Sequence, residues 1–202
     1  MMSLTYSLTR LITSVQTRNI LTKPIYNNGG VSMNDLNKLC GGVFVKTADI
    51  VFDPTTKCEN ILHVRPCNKD VWNKEAVKIF TIVNDGDILK IGSSQNGMNN
   101  MWLSYKCGLC YEHRGNDKMS NSSKQHMYRT IGSNLLLGGS WEFFSWEIPK
   151  TTIKIDIIGK SIDIRTRTHQ EYENRVNEMY KKISGGSSPY LNDLYLYRPK
   201  YE

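Results

Sequence analysis

The sequence predicts an α+β domain in which a small, mainly antiparallel sheet is flanked by helices. Three observations carry that expectation. Two apolar runs, 77–83 and 88–91, are separated by Asn84-Asp85-Gly86-Asp87. An Asp-Gly pair between apolar runs is a strong hairpin signal, because a type I′ turn needs positive φ at its centre. A second pair of arms, 152–158 and 161–166, alternates Ile with polar residues on either side of Gly159-Lys160, as strands with one apolar face do. The third is a helix from Thr168, where Thr168 and Glu171 have capping-box spacing. It carries Tyr172, Val176, Met179, Tyr180 and Ile183 at helical intervals and stops at Gly185-Gly186.

The other elements are expected in the following order. Ser32 caps a short helix running to Cys40, with Met33, Leu36 and Leu39 on one side and Gly41-Gly42 beyond it. Residues 43–52 are rich in β-branched side chains and read as a strand. Residues 53–75 read as irregular, with a short strand at 61–64. After Gly92 the polar run 93–100 leaves the sheet, and a helix is expected over 98–106. Residues 112–126 are polar and aperiodic, as exposed loops are. Residues 141–148 form an aromatic-rich strand, and residues 189–202 an aromatic tail. This divides the chain into a basic arm (1–31), an accessory region (32–75) and a main domain (76–202).

The chain has 202 residues, with 26 Lys and Arg against 19 Asp and Glu, for a net charge of +7. That balance favours polyanions, since neutralising phosphates releases condensed counterions. DNA is the expected partner ahead of RNA, and a homo-oligomer is left open. No apolar run reaches the length of a membrane span, so no membrane partner is expected. The cysteines number five, an odd set that points to a reducing compartment rather than a disulfide framework. Residues 1–34 contain no acidic residue and place Leu4, Leu8, Leu11, Ile12 and Val15 at helical spacing among Arg10, Arg18 and Lys23. This is the composition of a basic amphipathic arm and equally of an organellar transit segment. The expected location is cytoplasmic, with the mitochondrial matrix as the alternative. Neither GxGxxG nor GxxxxGK[ST] occurs, which argues against the common nucleotide-phosphate loops.

One constellation carries chemistry. The hairpin from Val77 to Ser94, with Lys90-Ile91-Gly92 on its second arm, resembles the opening hairpin of GIY-YIG nucleases in the variant whose second motif reads KIG. Within that superfamily it is most similar to small type II restriction endonucleases. Ser104-Tyr105, an early glutamate in a late helix (Glu173), and Pro189 followed by Asn192 fit the same resemblance, which covers about residues 76–192. The resemblance implies a GIY-YIG-like fold and a metal-dependent DNA endonuclease. In it Lys90 binds the scissile phosphate, Tyr105 and Arg114 assist the attacking water and the developing charge, and Glu173 holds Mg²⁺ or another divalent cation. Fixed cations stabilise phosphodiester cleavage because its transition state gains negative charge. Lys78, Lys106, Lys118 and Lys124 are the expected contacts to the nucleic-acid backbone.

The sequence departs from the family at two places. Phe80 stands where the first motif has its tyrosine, and Met101 falls where the following helix has its arginine. These departures support an alternative, a catalytically degenerate nuclease fold that binds nucleic acid within a ribonucleoprotein assembly such as a mitochondrial ribosome. A third expectation is a zinc module built on Cys107, Cys110 and His113, with Cys58, His63 or Cys67 completing a tetrahedron.

Overall fold

A computed structural model of the chain describes residues 30–53, 62–113, 123–149, 152–158, 160–165 and 168–192. The elements are α1 (Met33–Leu39), β1 (Val45–Phe52), β2 (Leu62–Pro66), α2 (Lys69–Asn73), β3 (Lys78–Asn84), β4 (Asp87–Ser94), α3 (Gly97–His113), α4 (Ser123–Leu136), β5 (Trp141–Glu147), β6 (Thr152–Ile157), β7 (Lys160–Arg165) and α5 (Thr168–Ile183). Five strands form one sheet in the order β2-β1-β5-β3-β4, and every pairing in it is antiparallel. β6 and β7 form a separate two-stranded sheet. The α+β architecture is therefore as the sequence predicts.

The division at residue 75 is not. β1 pairs with β5, so residues 45–66 belong to the same sheet as the β3–β4 hairpin. α1 packs into the same core as α5. Residues 32–75 are thus part of the main domain and not an accessory to it. The arm at 1–31 lies outside the described residues except for Gly30 and Val31. α2 lies in chain expected to be irregular, and α4 starts at Ser123, inside the loop expected over 112–126.

Local chemistry explains most boundaries. Ser32 accepts from the Asp35 N–H at the start of α1, and Asn68 accepts from the N–H groups of Asp70 and Val71 to start α2, each satisfying donors that a first helical turn leaves open. At the β3–β4 turn Asp85 and Gly86 take φ of 48° and 92°, the left-handed pair that a type I′ hairpin requires. β4 continues to Ser94, beyond the expected end at Ile91, because Gly92, Ser93 and Ser94 still pair with Phe80, Ile79 and Lys78.

Both faces of the sheet are covered. One core sets Phe80, Ile82 and Phe143 against Trp72 of α2, Trp102 of α3 and Ile131 of α4. The other sets Ile79, Ile88 and Ile91 against Leu36 of α1 and Val176 and Tyr180 of α5. β3 lies between β5 and β4 with a cover on each face, and all seven of its residues are buried. A central strand of this kind reads as a continuous run rather than an alternating one.

β4 is the edge of the sheet, and its outer side is partly occupied by other chain segments. The Ile88 N–H donates to Val31 O at 3.0 Å, and the Leu191 N–H donates to Leu89 O at 2.8 Å. The Ile91 N–H donates to Asn192 Oδ1 at 3.0 Å. Engaging those groups removes a template for pairing with another chain.

Candidate nucleic-acid site at the β4–α5 seam

α5 lays a stripe of His169, Glu173, Val176 and Tyr180 toward the sheet. The spacing of four, three and four keeps these residues on one helical face. Val176 and Tyr180 enter the core. The first two turns overlie the C-terminal end of β4 and present polar groups there. Ser93 Oγ donates to Glu173 Oε2 at 2.5 Å. Gln95 Nε2 lies 3.0 Å from His169 Nε2, and His169 is buried. Behind Glu173, Asn177 Nδ2 donates to the Glu173 carbonyl at 3.0 Å. Asn192 Nδ2 donates to Asn177 Oδ1 at 3.2 Å, and Asn192 Oδ1 in turn receives the Ile91 N–H. A continuous hydrogen-bonded path therefore joins the Lys90-Ile91-Gly92 strand, the residue-192 turn and the Glu173 turn of α5. Network members of this kind hold one another in single orientations.

Lys90 is half-buried on β4. It pairs with Ile82 beside a bulge in the register, and Ile82 belongs to the face covered by α2, α3 and α4. Ser93 pairs with Ile79, which belongs to the α5 face. Directly opposed residues share a face, so Lys90 and Glu173 flank β4 from opposite sides. Tyr105 is 6% exposed, with its ring packed edge-on against Trp102, the centroids being 6.3 Å apart. It is a core tyrosine. Phe80 and Met101 are likewise buried in that core.

Lys78 corrects an expectation. It is 1% exposed, its Nζ donates to Val71 O at 2.6 Å, and burial pushes its pKa below the usual 10.5. A lysine at the start of a central strand is covered from both sides and does not face a polyanion. Arg114 and Lys118 lie outside the described residues. Lys106, Cys107, Cys110 and His113 are carried on α3 and Lys124 on α4, where the backbone alone is described. His63 and Cys67 are exposed on or just after β2, the sheet edge opposite β4. Among the described residues no group of three or more His, Cys, Asp or Glu side chains could hold a metal ion.

Ser93, Gln95, His169 and Asn177 were not singled out by sequence reasoning. The signal for His169 was present in its spacing, four residues before Glu173 on the stripe that leads to Val176. Nothing local to Ser93 marks it, because its partner is 80 residues away.

The chain matches no family model and no curated protein. Solved structures that resemble it include two endonucleases. One is restriction endonuclease HPY188I in complex with product DNA, at 19% identity, covering 79% of this chain and 84% of that one with a TM-score of 0.47. The other is a mutant of bacteriophage T4 EndoII, at 13% identity, covering 75% of this chain and 95% of that one with a TM-score of 0.45.

Proposed function

We propose that the chain is a metal-dependent DNA endonuclease of GIY-YIG type, with Glu173 as its metal-binding carboxylate and Lys90 as its phosphate-binding cation. The supporting observation is convergence. Lys90-Ile91-Gly92, Glu173 and Asn192 are scattered over 103 positions of sequence, roughly half the chain, yet Glu173 and Asn192 both hydrogen-bond to β4 within three residues of Lys90. Packing alone requires an apolar stripe there and not a carboxylate.

The donors suit one kind of cation. Glu173 has one oxygen anchored by Ser93, and Oε1 accepts no hydrogen bond among the described residues. A single carboxylate fits Mg²⁺, which keeps several waters and takes further ligands from substrate phosphates. It does not fit an ion caged wholly by protein. When bound, such a cation would stabilise the charge that develops on the phosphate. The chain's own contributions are to hold the Glu173 carboxylate still through Ser93, to neutralise a phosphate with Lys90, and to attract DNA through its net charge of +7. Because Lys90 and Glu173 flank an edge strand, a substrate touching both crosses the rim of β4.

A second reading is nucleic-acid binding without cleavage, within a ribonucleoprotein assembly. Phe80, Met101 and Tyr105 favour it, since all three are buried in the core and two of them are apolar where the family places a proton-transfer group and a cation.

The test is incubation of purified full-length protein with supercoiled plasmid and Mg²⁺ or Mn²⁺. The endonuclease reading expects nicked or linear product that disappears in Glu173→Gln while salt-sensitive DNA binding survives. DNA bound but left intact across divalent metals selects the second reading. Absence of both binding and cleavage removes both.

A further inference from the structure

The β6–β7 hairpin stands apart from the main sheet, and among the described residues neither strand pairs with any other. Its register places Ile153 opposite Ile164 and Ile155 opposite Ile162, which gathers isoleucines on one face. That face is open to solvent: Ile153, Ile155 and Ile162 are 53%, 40% and 45% exposed. A lone two-stranded hairpin is marginal in water and gains independent stability from further strands. The outer edge of β6 also leaves half of its backbone N–H and C=O groups unpaired by β7.

We propose that the outer edge of β6 is a homodimer interface. Two copies pair antiparallel through β6 about a twofold axis at Ile155, giving a four-stranded sheet with one continuous isoleucine face. Charge complementarity identifies a second copy as the occupant. The strand reads Ile153-Lys154-Ile155-Asp156-Ile157. Antiparallel self-pairing centred on Ile155 sets Lys154 of each copy opposite Asp156 of the other, which creates two opposite-charge cross-strand pairs and keeps isoleucine against isoleucine. Lys154 and Asp156 are both exposed, so both are available to such a partner. Moving the centre to residue 154 opposes lysine to lysine, and moving it to residue 156 opposes aspartate to aspartate. Like charges placed directly opposite are unfavourable, so the charges specify this register. The comparable triplet on β7, Asp163-Ile164-Arg165, sits at the end of that strand among the described residues rather than at its centre.

The test is sedimentation equilibrium of the full chain and of two charge reversals, Lys154→Asp and Asp156→Lys. Each reversal places like charges in both cross-strand pairs of its own homodimer. Mixed together, the two variants regain opposite charges in both pairs. The expected result is wild-type protein at twice the 23.2 kDa chain mass. Each single variant should dissociate with a Kd raised about 10-fold or more, as two repulsive pairs replace two attractive ones. An equimolar mixture of the variants should dimerise again. A monomeric wild type overturns the proposal, as do single variants that dimerise like wild type, or a mixture that stays monomeric.

Discussion

Gly92→Ala is expected to overpack the β3–β4 hairpin, and the structure sets the size of the effect. Gly92 lies directly opposite Phe80. A Cβ at residue 92 would sit 2.7 Å from Phe80 Cζ and 3.1 and 3.3 Å from Cε1 and Cε2. The ring has little room to retreat, because Phe80 is 1% exposed and meets Phe143 edge-on with centroids 6.4 Å apart. Forcing a methyl group into such a core costs about 1–3 kcal/mol. In a chain of this size each kcal/mol moves Tm by about 2–4 °C, which gives a fall of roughly 2–12 °C. Calorimetric melts of wild type, Gly92→Ala, Phe80→Ala and the double variant form the assay. Phe80→Ala alone is expected to cost about 3–5 kcal/mol. The double variant should be less destabilised than the sum, since the ring that meets the new methyl is gone. Additivity within about 0.5 kcal/mol, or an unchanged Tm for Gly92→Ala, would refute the close ring-on-glycine contact. The outcome also bears on the motif: Gly92 has a packing reason to be glycine whether or not the strand serves catalysis.

Further consequences concern the seam and the buried lysine. Ser93→Ala leaves the Glu173 carboxylate without its anchor and is expected to raise the Mg²⁺ concentration needed for cleavage about 10-fold or more with little change in Tm; an unchanged metal dependence counts against Ser93 as a positioning residue. Asn192→Ala strands the Ile91 N–H and is expected to cost about 1–3 kcal/mol, with faster hydrogen exchange at the Ile91 amide, and unaltered protection there would sink the edge-capping role. For Lys78 the folded pKa lies below the unfolded value of 10.5, so the unfolded state binds more protons and stability rises with pH through the interval up to 10.5. Denaturant melts should show wild type gaining stability relative to Lys78→Met as pH rises toward 10.5, and parallel pH profiles would contradict the burial of that amine.

Local signals foretold local structure. The Asp85-Gly86 turn, the Ser32 cap and the Thr168 start of α5 each depend on a few adjacent residues, and each appears where the sequence places it. The failures share a different cause. The membership of β1 and β2 in the main sheet depends on β1 pairing with β5, about 96 residues away in the Lys46–Glu142 contact, and no periodicity records such a pairing. α4 escaped notice because its sequence is polar, with Gly132 within it, and among its described side chains Met127 and Ile131 enter the core with Leu135 packed against it. Lys78 resembled a surface cation because its exposure is decided by Val71 and the flanking strands rather than by its neighbours in sequence. At the candidate site, family resemblance singled out Lys90, Glu173 and Asn192, whereas Ser93 and His169 come into view only with the docking of α5 on β4. The same docking separates Lys90 and Glu173 by face, which no linear motif conveys.

The central claim is that the Glu173 carboxylate, anchored to β4 by Ser93, supports phosphodiester cleavage. Single-turnover cleavage of duplex DNA by wild type and Glu173→Gln, measured across Mg²⁺ concentrations, tests it most directly. The account predicts Mg²⁺-dependent product with wild type and a rate lower by about 100-fold or more with Glu173→Gln, the scale expected when a main stabiliser of transition-state charge is lost. Equal rates for the two proteins, or no product from wild type at any Mg²⁺ concentration, would contradict it.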